Sequence, residues 1–234
     1  MSDANRPGMR RWKRATAVAL ALLAAAWAWT VWHAPLDSVQ GVIQKILYVH
    51  PPLAFAAYAG FIGTAIGGAL FLARGHEHFD RFAAASAEVG VVFSTLMLLT
   101  GPIWAKGTWG KWWTWDPRLT VTLLLYLTYV AYLLLRGFTE GNERAARFAA
   151  VYGILGSALI PLNYYAIELF GSRALHPDNL QRGSLGEGMG LPFLLGVLAT
   201  LAAFAFLLVR RFELGELRAL HAELSARAAL REEP

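Results

Sequence analysis

Six stretches of mostly apolar residues, at about 15–34, 53–73, 83–104, 119–135, 148–170 and 189–209, dominate this chain. About 20 such residues are needed to cross a hydrocarbon core about 30 Å thick at about 1.5 Å rise per residue. In lipid each backbone N–H and C=O must be satisfied within the protein, so apolar runs of this length are helices. The predicted fold class is therefore an all-α integral membrane protein, a bundle of six transmembrane helices. The spans consume most of the 234 residues, which predicts a single membrane domain over 1–234. Composition agrees: 56% of residues are hydrophobic and 16% charged, against about 45–50% and about 25% in soluble domains.

With six spans both termini lie on one side, and the placement of Lys and Arg says which. The side of the termini holds fifteen of the 21 basic residues, from Arg6 to Arg14, at Arg74 and Arg81, from Arg136 to Arg147, and from Arg210 to Arg231. Lys45, Lys106, Lys111, Arg118, Arg173 and Arg182 fall on the other. Both termini are predicted to be cytoplasmic, and the connections 35–52, 105–118 and 171–188 external. Because the charge follows topology, the net charge of +5 does not call for nucleic acid. The first apolar run follows basic residues as a secretory signal would, but it continues through Trp27, Trp29 and Trp32. That exceeds a signal core of about 7–15 residues, so it is read as an uncleaved span. Leu214, Leu217, Leu220 and Leu224 recur at helical spacing in the tail 210–234, which reads as a cytoplasmic amphipathic helix. It is either a solvated continuation of span six or a docking element.

Cysteine is absent. This removes disulfides, thiolate metal sites, cysteine nucleophiles and covalent attachment of a haem through Cys-x-x-Cys-His.

Five of the nine tryptophans, Trp104, Trp109, Trp112, Trp113 and Trp115, fall within a dozen residues. Were the segment helical, Trp109, Trp112 and Trp113 would form one aromatic face lying in the interface. Interfacial tryptophans also occur as an ordinary belt, but belts scatter their rings over many helix ends. A cluster in one external loop suits a flat aromatic ligand, to which stiff rings offer large stacking area. At the end of the run, Asp116 and Pro117 read as the N-cap and first residue of span four. Arg118 then sits at the unfavourable end of a helix dipole, a cost that a nearby anion such as a propionate would offset.

His76, His78 and His221 lie in charged internal segments. The three external histidines are His33, at the end of span one, His50 before Pro51-Pro52, and His176 before Pro177. Imidazole is a common ligand of haem iron, and a haem held between two loops needs one histidine from each. His50 and His176 meet that condition, their backbones restricted by the following proline; His33 is a possible substitute. Glu88 and Glu168 interrupt spans three and five and count as functional candidates on that ground. Gly63-xxx-Gly67 predicts close helix packing in span two.

The run Trp109-Gly-Lys-Trp-Trp-Thr-Trp-Asp-Pro-Arg-Leu-Thr120 resembles the WWD signature of the haem-handling proteins of cytochrome c maturation. With six spans, this length and the ending Trp115-Asp116-x-Arg118-Leu119-Thr120, the chain is similar to the haem exporter protein C family. The resemblance implies a multi-pass protein of the bacterial inner membrane that presents haem on the periplasmic face and delivers it to a periplasmic haem chaperone. It implies partners too: the ATPase and membrane subunits of an ABC transporter, and a small membrane subunit. By this resemblance His50 and His176 are the axial ligands of a transient, non-covalent haem b. Trp109, Trp112, Trp113, Trp115 and Asp116 form the WWD platform, and Arg118 and Lys45 are propionate partners. No nucleophile or acid–base pair is visible, so the chain does not read as a conventional enzyme. Two rival classes make different demands. A cytochrome b-like electron carrier needs histidine pairs within the spans, and none of the six histidines is mid-span. A channel or permease subunit of an ABC-type complex needs only an aromatic belt, and no haem site.

Overall fold

A computed structural model describes residues 7–137, 142–171, 175–177, 180, 183 and 185–232. Arg173 and Arg182, counted above among the external charges, lie outside the described residues. The elements are α1 (Pro7–His33), a 3-10 segment (Val42–Tyr48), α2 (His50–Arg74), α3 (Glu77–Trp109), α4 (Pro117–Gly137), α5 (Glu143–Ser157), α6 (Leu159–Tyr164), α7 (Ala166–Phe170) and α8 (Gly190–Glu232). Six helical runs are long and apolar enough to cross a membrane. The chain is a multi-pass, all-α membrane protein, as the apolar runs require.

The boundaries depart from expectation where backbone chemistry intervenes. No residue between Trp104 and Trp109 breaks the helix, so α3 continues to Trp109 before Gly110 closes it in the left-handed region at φ 71. Glycine enters that region without a Cβ clash, and the Gly110 N–H donates to the Lys106 carbonyl at 3.2 Å. The loop expected over 105–118 is therefore only Gly110 to Asp116, and this segment is not helical. Span five is interrupted: Pro161 has no N–H to give the Ser157 carbonyl, and α5 ends at Ser157. Span six and the tail are one helix of 43 residues.

Helix α2 sits at the centre, packed on α3, α5 and α8, while α1 rests on α8. Small residues let the α2 and α3 backbones touch, as Gly63-xxx-Gly67 suggested. A Cβ added at Gly60 would lie 2.5 Å from the Gly90 Cα, and one at Gly67 would lie 2.9 Å from the Ala83 nitrogen. Gly60→Val should thus cost about 1–3 kcal/mol of stability through overpacking. Gly137→Ala, which adds its Cβ to open space, is the control. Thermal unfolding in detergent reads the difference, and equal midpoints for the two variants would contradict this packing.

At the end of the bundle that carries the termini, charges are paired between helices. Arg211 of α8 grips both carboxylate oxygens of Glu88, its Nη2 donating at 2.6 Å. Arg136 of α4 grips Asp80 in the same way. Glu88 thus has a structural partner that the sequence reading did not assign. The start of the tail is tied down by Arg81 to Glu216 at 2.6 Å and Lys13 to Glu213 at 3.5 Å. Beyond these ties Leu217, Leu220 and Leu224 are exposed.

The opposite end gathers the 3-10 segment, the Gly110–Asp116 loop and the connection into α8. Ala34, Leu47 and Tyr48 form a small buried cluster there, packed by Trp104, Leu185, Met189 and Phe193. Trp104, packed against this cluster, also lines the cavity described next.

Candidate functional site

A cavity of about 260 Å³ opens at this end of the bundle. Its walls come from α2 (His50, Ala54, Tyr58), α3 (Met97, Gly101, Trp104, Trp109) and α4 (Arg118, Thr122). Trp113 of the loop, Asn163 of α6, and His176 with Pro177 complete them. The cavity thus brings together His50, His176, Trp109, Trp113 and Arg118 from the residues singled out in the sequence.

His50 opens α2, and Pro51 and Pro52 follow in its first turn, where missing N–H groups leave no helical bond unmade. Its Nδ1 lies 3.1 Å from the Thr100 hydroxyl of α3. The Trp104 ring stands edge-on to the imidazole, with centroids 6.0 Å apart. Gly101 leaves the space the imidazole occupies, since a Cβ there would lie 3.1 Å from the His50 Cε1.

His176 is held through its backbone. Asp116, only 3% exposed, uses one carboxylate oxygen to cap α4 by accepting the Leu119 N–H at 2.9 Å. The other accepts the His176 N–H at 3.2 Å. The N-cap role was legible in the sequence; the clamp on the histidine loop was not. Asp116 itself does not line the cavity. The His176 Nδ1 lies 2.8 Å from the Pro177 carbonyl. A carbonyl can only accept, so this nitrogen carries the proton and Nε2 keeps its lone pair. Burial holds His176 below the ordinary histidine pKa, and the Arg118 charge pushes the same way, against the Pro177 carbonyl and the Asp116 carboxylate. His176 is thus a neutral imidazole at neutral pH, the form that ligates metal.

Arg118 answers its unfavourable place at the start of α4 in a way the sequence reading did not foresee. Its Nη2 donates to the Tyr164 carbonyl at 2.7 Å, at the C-terminal end of α6, where a cation is favoured. The guanidinium still borders the cavity. Beneath it lies a polar floor that sequence reasoning missed. Asn163 Nδ2 donates to Thr122 Oγ1 at 2.7 Å and to the Arg118 carbonyl at 3.1 Å, while the Tyr58 hydroxyl donates to Asn163 Oδ1. A lone Asn beside Pro161, within an apolar span, was the available signal.

Other expected residues stand elsewhere. Gly110 ends α3 before a common aromatic face can form, so Trp112 and Trp115 are 60% and 75% exposed and do not line the cavity. Trp115 meets Trp113 edge-on at 5.8 Å. Lys45 donates to the Trp32 carbonyl at 2.9 Å, outside the cavity lining. His33 is exposed, its Nδ1 2.8 Å from the Trp29 carbonyl and its ring tilted at 38° against Trp29 with centroids 4.1 Å apart. Glu168 is exposed on α7.

Two imidazoles bordering one cavity suit a metal. Among the described residues no cluster of three His, Cys, Asp or Glu could hold a bare ion. A metal that arrives with its own equatorial ligands needs only two axial donors, as an iron porphyrin does. The rings of Trp109 and Trp113 offer stacking area, and the buried Trp113 Nε1 has no hydrogen-bond partner. Such a donor is costly to bury unmet and fits an anionic or carbonyl oxygen of a ligand. The residues present therefore fit a haem.

A family model described as heme exporter protein C matches residues 6–227. Heme exporter protein C of Paracoccus denitrificans (strain Pd 1222) is 33% identical over 204 residues, covering 85% of this chain and 83% of that protein. The Escherichia coli (strain K12) protein of that name is 29% identical over 190 residues, covering 81% and 77%. A putative cytochrome c biosynthesis ccmC-like mitochondrial protein of Marchantia polymorpha is 32% identical over 179 residues, covering 76% and 74%.

Proposed function

The chain belongs to the haem exporter protein C family, and on that premise we propose that it holds haem reversibly at the outer face of the bacterial inner membrane and hands it to a periplasmic chaperone. Its general role is haem export for cytochrome c maturation, within an ABC-type membrane complex. The observation that carries the finer reading is that His50 and His176, from separate elements, border one cavity with Trp109 and Trp113. These two imidazoles would hold the iron, and haem would supply the remaining coordination of the metal it carries. The indoles of Trp109 and Trp113 pack on the macrocycle, and Arg118 offers a propionate its guanidinium. Trp112 and Trp115, exposed beside the cavity, are free to meet the chaperone. The surplus of Lys and Arg on the side of the termini supports a cytoplasmic location for the termini and a periplasmic one for this end. The transporter's ATPase, its membrane subunit and the small membrane subunit are the remaining partners.

Two neutral-imidazole bonds without a covalent tether suit a carrier that must release its cargo. The test is direct: haem titrated into the purified full chain in detergent should give a six-coordinate, low-spin Soret band. No Soret change at saturating haem would instead favour a permease subunit without a haem site of its own.

Release should respond to acid. Because His176 sits below the ordinary pKa of 6.5, its ligand form persists below that pH and is lost only as pH falls further. Haem retention measured from the Soret band should therefore be flat from pH 8 to about 6.5 and fall with a midpoint below that value. A midpoint above 6.5 would contradict the assigned environment of His176.

A further inference from the structure

We propose that Thr100 is a positioning residue that fixes His50 in the tautomer with the proton on Nδ1, so that Nε2 is kept as a lone-pair donor towards the cavity. The inference rests on the reading of His50 as an axial ligand of haem.

A threonine hydroxyl has a single proton to donate. Thr100 Oγ1 lies 3.0 Å from the Leu96 carbonyl and 3.0 Å from the Met97 carbonyl, one turn back along α3. An oxygen so close to two carbonyl oxygens is repelled unless its proton points at them. That proton is spent on the helix, and what Thr100 turns to His50 Nδ1 at 3.1 Å is a lone pair. The bond forms only if Nδ1 carries hydrogen. A neutral imidazole holds one N–H, so Nε2 is bare. Gly101 keeps the ring on the hydroxyl, since any larger residue would press on its Cε1 edge. The same tautomer is reached at His176 by a different device, its Nδ1 donating to the Pro177 carbonyl. Two unlike supports thus leave the same nitrogen of each histidine bare. Fixing the ring from behind also makes a ligand nitrogen more basic, and changes to such supports typically cost about 10–100-fold in metal affinity.

The first measurement needs no haem. In the ¹⁵N-histidine spectrum of the purified haem-free chain, with His50 assigned by its loss in His50→Ala, His50 should show a protonated Nδ1 and a bare Nε2. A protonated Nε2 overturns the proposal. The second uses Thr100→Val, which keeps the shape and removes the acceptor, beside Thr100→Ser, which restores it. Thr100→Val should shift the His50 tautomer towards Nε2–H and weaken haem binding about tenfold. The reduction potential should also rise, because a less basic ligand stabilises Fe(III) less. Thr100→Ser should return all three to the parent values. If His50→Ala loses the low-spin Soret band while Thr100→Val matches the parent in tautomer, affinity and potential, Thr100 has no positioning role. If His50→Ala keeps the band unchanged, the ligand reading itself fails, a result distinct from the former.

Discussion

His50→Ala and His176→Ala should each convert the haem-loaded protein from a six-coordinate, low-spin species to a five-coordinate, high-spin one, and the double variant should retain no haem through purification. The expectation follows from the donor count. Among the described residues no third His, Cys, Asp or Glu clusters with the two imidazoles that border the cavity, so neither has another imidazole at hand to replace it. Aromatic contact and Arg118 remain in each single variant, which is why a single loss should change the spin state before it empties the site. Exogenous imidazole is small enough to enter the vacated space and should restore the low-spin band in each single variant. Electronic absorption and electron paramagnetic resonance read the result. A double variant that keeps the parent Soret band would remove His50 and His176 from the site altogether.

Asp116→Ala should have the next largest effect, and on two quantities at once. One oxygen of this carboxylate caps α4 and the other holds the His176 N–H. Loss of the cap alone costs about 0.5–2 kcal/mol. The freed His176 backbone adds an unmet donor in a half-buried place, at about 1–3 kcal/mol more where no water reaches it. The second effect falls on haem, because a histidine loop without its anchor must be ordered anew with each binding event. Asp116→Asn separates the two. Its single carbonyl oxygen can serve Leu119 or His176 but presents an NH₂ group to the other, so one function should survive at the expense of its partner. Thermal unfolding and haem titration of Asp116→Ala, Asp116→Asn and the parent provide the check. Parent-like haem affinity in Asp116→Ala would show that the carboxylate does not act through His176.

The motif from Trp109 to Arg118 illustrates how far a sequence can be read. Its ending, Asp116-Pro117 before an apolar run, announced a capped helix, and the cap is there. The spacing of Trp109, Trp112 and Trp113 suggested a common helical face, and none forms, because Gly110 turns the chain at φ 71. The glycine was visible, but whether it ends a helix or rides within one is settled by what the chain must do next. Here it must reverse into α4 and deliver Asp116 to a loop sixty residues away. Lys45 shows the same limit: its charge was legible, yet its ammonium is taken by the Trp32 carbonyl. Glu88 looked functional as a carboxylate near a membrane span until Arg211, 123 residues on, supplied its partner.

What the sequence determined by itself is the set of six helical spans, the cap at Asp116 and the small-residue seam of α2. All of these follow from short-range rules: apolar length, backbone donors present or missing, and Cβ atoms present or missing within a few residues. Only the tertiary structure decided which rings border the cavity, that the second oxygen of Asp116 holds His176, and that Thr100 stands behind His50. The first depends on where the turn at Gly110 sends the chain; the other two depend on an acceptor's remaining lone pair, spent on a residue tens of positions away. Spacing along the chain carries no record of that choice, because a hydrogen bond is fixed within a few tenths of an ångström by packing.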